Sequence, residues 1–359
     1  MRILVINGSP KGANSNTMRV TSAFLRGYTR ARSSEVTIVH VADKSVAHCR
    51  GCYYCWTYTP GVCVIRDDMT AVLKAYLESD LVVWSTPVHS FGISSLAKMV
   101  LDRLLPVYLP IIEERREDDG AAHPFRFDLS YQKYLVVATC GFYAYENNVE
   151  AIQKQFEVMY GDRVEFIVCP EGDLFAVPQL AYRTAAYLRT AEQAGAEFAT
   201  AGAIAADTRD KLHVKHYSPV DYMAMANSNW YVFEKGMSRQ DLLRARIHNY
   251  MVQMKLVYEP RAMQADEGVL EMHFDNDTYT CQFIMSQAGC SLVEEESEFR
   301  PHTLRVITSY TLWERISREG MAVQNQARSK GEPGQSDFNS LVRLVSSLAL
   351  RHKAETLRL

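Results

Sequence analysis

Five short apolar runs, at 3–6, 36–41, 81–84, 134–139 and 164–169, alternate with amphipathic helical stretches through residues 1–206. Each run is apolar at successive positions, as strands covered on both faces are. Between them, residues at helical spacing share one face: Thr17, Thr21, Phe24, Leu25 and Tyr28; then Leu96, Met99 and Val100; then Val149, Ile152, Phe156 and Met159. This alternation predicts an α/β domain built on a doubly wound, five-stranded parallel sheet. Right-handed crossovers make all the strands point one way, so their carboxyl ends share one rim, where ligands of such sheets bind. A helical pattern over 178–198 closes the unit and runs into an alanine-rich 201–206.

Residues 207–220 have little periodicity and read as a linker. The pattern then changes. A capping box, Ser238-x-x-Asp241, opens a helix striped by Leu243, Ile247, Tyr250, Met251 and Met254. Short strand-like segments at 269–274, 279–285, 290–294 and 303–307 suggest an antiparallel meander. Helices follow around Leu312, Trp313 and Ile316, and through Phe338, Leu341, Val342, Val345 and Leu348. The expected organisation is therefore an α/β domain over 1–206, a linker over 207–220 and a smaller α+β domain over 221–359.

A chain of 359 residues is long enough for two cores. A net charge of −3 gives no electrostatic reason to expect nucleic acid or an acidic membrane as partner. The N-terminus runs straight into a strand, and no run of eighteen apolar residues occurs, so a cytoplasmic chain without a membrane span is expected. Of the eight cysteines, Cys140, Cys169, Cys281 and Cys290 are scattered and read as small buried apolar residues. The other four, Cys49, Cys52, Cys55 and Cys63, crowd one loop after the second strand. In a reducing compartment such clustered thiols are more often metal ligands or free thiols than a disulfide framework. Their spacing lets them converge on one inorganic centre.

The segment 8–17, between the first strand and the first helix, is rich in small residues and hydroxyls. Its backbone amides lie at a helix N-terminus, which is an anion site; the alternative is an ordinary loop with a Ser or Asn helix cap. The segment matches neither the G-x-G-x-x-G fingerprint nor the P-loop, and it suits a monophosphate such as that of FMN.

Gly8-Ser-Pro-Lys11 with Ser15-Asn-Thr17, the cysteine loop, Asp67-Asp-Met69, Ser85-Thr-Pro-Val88 and Lys98 with Asp102-Arg103 together resemble the flavodoxin-like NAD(P)H-dependent FMN reductases. Among these the set is most similar to the iron-sulfur flavoprotein branch. The resemblance implies that Ser9, Lys11, Ser15, Asn16 and Thr17 hold the FMN phosphate. It further implies that Thr86, Pro87, Val88, His89, Ser90, Phe91 and Gly92 line the ribityl chain and isoalloxazine, and that Thr139, Cys140, Gly141 and Phe142 close the site. His89 stands where relatives often carry Tyr; it either hydrogen-bonds flavin or substrate as an auxiliary group or packs beside the ring. The resemblance implies a 4Fe-4S cluster on Cys49, Cys52, Cys55 and Cys63, shielded by Tyr53, Tyr54, Trp56 and Tyr58. Free or disulfide-forming thiols and a tetrahedral zinc site remain alternatives on spacing alone.

On this reading no protein nucleophile is needed, because the chemistry belongs to the flavin. Electrons pass from NAD(P)H or a ferredoxin-like protein through FMN, with the cluster as a further stage, to a small-molecule acceptor such as a quinone or flavin. The alternative is an electron-transfer or redox-sensing flavoprotein without small-molecule turnover. A homo-oligomer is implied, with the cluster facing a neighbouring subunit's flavin. The acidic stretch 113–119 reads as a solvated loop or as a lid over the flavin.

The stretch 303–321, with the later helix carrying Phe338 and Leu341, resembles the sterol-carrier-protein fold, although 326–335 departs from that family's glycine-bounded strand. The implied role is an apolar cavity for a hydrophobic ligand, lined from Trp230, Tyr250, Met251, Met254, Phe283, Met285, Trp313 and Phe338. The alternative is that Tyr310, Trp313, Phe283 and Met285 fill a core.

Overall fold

The computed structural model describes residues 1–115, 120–177, 180–228, 236–275, 278–314 and 337–358. Two compact units divide between His216 and Tyr217.

The first unit runs β1 (Arg2–Asn7), α1 (Asn16–Ala31), β2 (Glu35–His40), α2 (Met69–Glu78), β3 (Leu81–His89), β4 (Gly92–Ile93), α3 (Ser95–Asp102), β5 (Glu113–Arg115), β6 (Gly120–Ala122), β7 (Lys133–Thr139), α4 (Glu150–Tyr160), β8 (Val164–Cys169), α5 (Ala181–Ala201) and α6 (Ala206–Leu212). Its main sheet has the order β2-β1-β3-β7-β8 with every neighbour parallel. That is the flavodoxin-like doubly wound order, with its switch point between β1 and β3. Alternate side chains go to opposite faces. Ile3, Val5, Leu81, Val83, Leu135 and Val137 pack under α1 and α5. Leu4, Ile6, Val82, Trp84, Tyr134 and Val136 pack against α2, α3 and α4.

Helices α1 and α5 lie backbone to backbone. A Cβ built on Gly27 would sit 1.7 Å from the Glu192 carbonyl oxygen, and one on Gly195 would sit 1.9 Å from that of Phe24. Glycine in a helix ordinarily costs stability. Here it permits the close approach.

Residues 178 and 179, where the sequence pattern starts the last helix, lie outside the described residues; the helix is seen from Ala181. Within 207–220, read from sequence as linker, α6 is ordered because Thr208 is buried and donates 2.8 Å to Glu197 Oε1 on α5. The acidic stretch contributes β5, which pairs antiparallel with β6, and its remainder, 116–119, lies outside the described residues.

The second unit contains α7 (Pro219–Ser228), α8 (Arg239–Leu256), β9 (Gly268–Phe274), β10 (Tyr279–Ser286), β11 (Gly289–Val293), β12 (Leu304–Thr308), α9 (Asp337–Leu350) and β13 (Glu355–Arg358). The capping box forms in both directions between Ser238 and Asp241. The expected four-strand meander is corrected: β11-β10-β9 is antiparallel, but β12 lies parallel to β9, and β13 adds parallel to β12. The connection before β12 returns along β9, where the Thr303 amide donates 2.9 Å to Val269 O. That delivers the strand to the free edge in the same direction.

Met251, Met254, Phe283, Met285, Trp313 and Phe338 are all buried in one core, with Tyr250 packed against it, and Trp313 Nε1 donates 3.3 Å to Met254 Sδ. Residues 310–314 are helical. Trp230, Ile316 and 326–335 lie outside the described residues.

On the opposite face of this sheet, the buried Glu271 carboxylate accepts from Arg305 Nε at 2.6 Å and Gln282 Nε2 at 2.6 Å, and it meets His273 Nε2 at 2.7 Å. Burial pushes its pKa up, but the hydrogen bonds from His273, Gln282 and Arg305 more than offset that and hold it below its ordinary 4.5. A carboxyl depressed in the fold contributes stability above its unfolded pKa, and that stability is lost as pH falls through the folded value. The stability of the second unit, followed by circular dichroism during unfolding, is therefore expected to weaken as pH drops below about 4.5. Glu271→Gln should flatten that slope and cost about 2 kcal/mol near neutral pH, a figure reduced because Arg305 is partly solvated. An unchanged slope would remove Glu271 from the account.

Candidate active site

The site is assembled at the carboxyl rim of the first sheet, beginning with a residue the sequence pattern did not single out. Asn7, the last residue of β1, is fully buried. Its Nδ2 donates 2.8 Å to Gly12 O and lies 2.8 Å from His40 Nδ1 at the end of β2, while its Oδ1 accepts from the Ser9 amide at 3.1 Å. One side chain thus shapes the loop after β1. Its local signal is a polar residue closing an apolar strand directly before Gly8.

Gly8 fits where no side chain would. Its amide donates 2.8 Å to Ser85 O, its carbonyl accepts from Ser94 Oγ at 2.6 Å, and a Cβ would lie 2.6 Å from that of Ala97. Ser15 caps α1 by accepting from the Met18 amide at 3.0 Å. That leaves the first-turn amides of Asn16 and Thr17, at the positive end of the helix dipole, for an anion.

The hydroxyls expected to hold phosphate are largely engaged in building this loop. Ser9 Oγ accepts from the Lys11 amide at 3.3 Å, and Thr17 Oγ1 lies 2.6 Å from Thr139 Oγ1. The latter contact joins the first turn of α1 to the end of β7. Ser9, Ser15 and Thr17 are buried, Asn16 is half-buried and Lys11 is exposed.

At the end of β3, Thr86 Oγ1 accepts from the Ser94 amide at 3.0 Å, and Val88 and His89 pair antiparallel with Ile93 and Gly92 of β4. The two-residue tip, Ser90 and Phe91, takes φ of 49° and 63°, the left-handed region that glycine usually occupies in such hairpins. Pro87 and Gly92 are half-buried, and His89, Ser90 and Phe91 are exposed. Phe91 stacks on Phe142 from the loop after β7, with ring centroids 5.7 Å apart and planes within 9°. Next to Gly141 and Phe142, Cys140 is buried, and desolvation pushes its thiol pKa up, so it stays protonated at neutral pH. The residues nominated from the three loops therefore share one rim.

The cysteine loop leaves β2, the strand next to β1. It is pinned by Asp67 and Asp68: Asp68 Oδ2 accepts from the Ser45 amide and Asp67 Oδ2 from the Ala47 amide, each at 2.8 Å. Cys49, Cys52, Cys55 and Cys63 line a single small pocket with Arg103, Leu105 and Pro106. Cys55 is buried, and its thiol pKa is pushed up first by burial and then by the neighbouring thiols of Cys63, Cys49 and Cys52. Four thiols gathered around one pocket make a donor set suited to a cationic centre. No group of three or more His, Cys, Asp or Glu is held ready for a metal ion among the described residues. Of the aromatic residues expected to shield the pocket, Trp56 is tucked in, its Nε1 donating 3.0 Å to Leu105 O. Tyr53, Tyr54 and Tyr58 instead lie exposed, Tyr54 and Tyr58 packed against each other, because their short loop has no layer above it.

Residues 1–117 match the NADPH-dependent FMN reductase family. The match takes in the phosphate-type loop, the cysteine loop and the β3 hairpin, and ends before β7. An iron-sulfur flavoprotein of Methanocaldococcus jannaschii is 32% identical over 107 residues, 30% of this chain and 53% of that protein. One from Archaeoglobus fulgidus is 33% identical over 106 residues, 30% and 46% of the two chains. The chain thus spans about half the length of the curated relatives it matches. Among solved structures, an FMN-dependent NADH-azoreductase from Bacillus anthracis, in complex with FMN, aligns at 18% identity and a TM-score of 0.41, covering 55% of this chain and 99% of that one. An NAD(P)H:quinone oxidoreductase from Methanothermobacter marburgensis aligns at 17% identity and a TM-score of 0.40, covering 55% and 96%. No helix among the described residues is long and apolar enough to cross a membrane.

Proposed function

We propose that this chain is an FMN-dependent oxidoreductase that takes electrons from NAD(P)H and passes them to a small-molecule acceptor of the quinone or flavin class, with a 4Fe-4S cluster on Cys49, Cys52, Cys55 and Cys63. The observation that carries the reading is the convergence at one rim of an anion-ready helix N-terminus, the β3 hairpin and the loop after β7. The match of residues 1–117 to the FMN reductase family supports it.

When bound, FMN supplies hydride acceptance and one-electron release, and a cluster supplies one-electron storage. The chain's own part is binding and orientation. The amides of Asn16 and Thr17 offer donors to a phosphate, and Lys11 adds a mobile positive charge from the exposed side. Asn7 and the Thr17–Thr139 contact hold that cradle in shape, while Phe91 and Phe142 present flat apolar surface at the rim. Cys140, kept protonated, is a packing residue there and not a nucleophile.

Protein purified without oxygen is expected to carry flavin absorption bands and stoichiometric iron and acid-labile sulfide. Cys55→Ser should lose the iron while keeping the flavin, since the two are held by different loops; simultaneous loss of both would count against separate sites. Steady-state oxidation of NADH and NADPH with quinone, flavin and ferric acceptors tests the activity. A protein that takes up no FMN overturns the reading, and one that exchanges electrons only with a ferredoxin-like protein is a carrier instead. A homo-oligomer and a hydrophobic ligand for the second unit belong to the same proposal. Sedimentation tests the first, and saturable binding of a fluorescent fatty acid to the intact chain tests the second.

A further inference from the structure

Arg103, just past the end of α3, is 1% exposed. Its Nη1 donates 2.6 Å to Ala47 O and 2.8 Å to Asp67 Oδ2, and its Nη2 donates 2.9 Å to Asp67 Oδ1. Asp67 is itself fixed by the amides of Ala47 and Met69, so the carboxylate cannot turn and the guanidinium is held in one plane. A guanidinium carries five N–H groups in a rigid fork. Three are spent on these partners. The Nε–H, buried, has no hydrogen-bond partner. With the second N–H of Nη2 it forms one edge of the plane, the edge that receives an anion side-on.

An unmade hydrogen bond on a buried cation is costly, and a buried ion pair by itself is no better for stability than well-packed apolar residues. The Asp67 pair alone therefore does not account for an arginine here. The missing partner is indicated by what shares the space: Arg103 lines the same pocket as Cys49, Cys52, Cys55 and Cys63. Reduction of a centre held by four thiolates adds negative charge in a partly desolvated site, where a fixed cation and N–H donors to sulfur act most strongly.

We propose that Arg103 is a positioning residue whose free Nε edge serves the sulfur ligand set and raises the reduction potential of the cluster held by the four cysteines. This rests on the cluster reading above. Asp67 aims the fork, and Arg103 supplies charge and donors without ligating the metal.

The test uses the full-length protein, reconstituted anaerobically with ferrous iron and sulfide, with midpoint potentials taken from redox titrations followed by electron paramagnetic resonance. Arg103→Gln is expected to shift the reduction equilibrium at least tenfold toward the oxidised form, about 59 mV lower for one electron. Arg103→Lys, which keeps the charge and loses the planar edge, should fall between Gln and wild type. Because Arg103→Gln strands the Asp67 carboxylate, the double variant Asp67→Asn/Arg103→Gln is measured alongside; with the Asp67 charge also gone, it should show a potential between that of Arg103→Gln and wild type in a better-folded protein. Loaded variants that unfold more easily yet keep the wild-type potential overturn this inference alone and reduce Arg103 to a structural tie. A wild type that takes up no iron and sulfide overturns the cluster reading and this inference with it.

Discussion

Gly27→Ala is expected to destabilise the first unit by about 3 kcal/mol or more, at the upper end of what overpacking costs. The added methyl would lie 1.7 Å from Glu192 O, a backbone atom of α5 that no rotamer change can move. Relief requires α1 and α5 to separate. That would open the core formed by Phe24, Tyr28, Ala191, Ala194 and Phe198 beneath them. Gly195→Ala should act alike, since its methyl would meet Phe24 O at 1.9 Å. The two changes together should cost less than the sum of each, because one separation relieves both. Urea unfolding with a probe in each unit checks this. The transition of the first unit should move and that of the second should not, and a shift under 1 kcal/mol (roughly the ordinary effect of a point change) would disprove backbone contact between the helices.

Gly8→Ala is expected to weaken FMN binding at least tenfold, about 1.4 kcal/mol or more, with far-ultraviolet dichroism unchanged. Its methyl would press on Ala97 Cβ and Ser94 Oγ, at 2.6 and 2.8 Å, and push the loop away from the start of α3. Ser94 would then lose its 2.6 Å bond to Gly8 O, and the amides at the start of α1 would no longer be presented from a fixed loop. Flavin fluorescence quenching measures the affinity. Unaltered affinity in a folded variant would mean that the phosphate is held elsewhere.

These contacts also show where local sequence pattern stops being informative. The strands of the first sheet were legible from their apolar runs, and parallel order follows from handed crossovers, but β2, expected to be covered on both faces, is an edge strand left largely exposed. Gly27 and Gly195 were not, since a glycine inside an amphipathic stretch looks like a weak helix position until the opposing backbone is known. Asn7 was passed over because a polar residue after Ile6 reads as the start of a loop. The direction of β12 was misjudged because pairing with β9 rather than β11 is decided by a connection whose path has no local signature, and β13 is four exposed residues without an apolar alternation. In the candidate site, the residue types and their rim were visible in the motifs. Ser15 is consumed locally as a helix cap, but that Thr17 is engaged depends on Thr139, 122 residues along the chain. The Asp67–Arg103 pair appeared in sequence only as two separate motifs, and nothing local reveals that one guanidinium nitrogen is left over.

The bond between Thr17 and Thr139 spans 122 residues. On a ribosome, the helix N-terminus that would receive a phosphate emerges long before the strand that steadies it, so a nascent chain ending near residue 117 has the matched motifs and an unfinished cradle. Binding must wait for β7 to enter the sheet beside β3, a non-local event that is slow relative to helix formation. On the proposed reading, cofactor capture would then fall late in biogenesis, after the sheet has committed to its order.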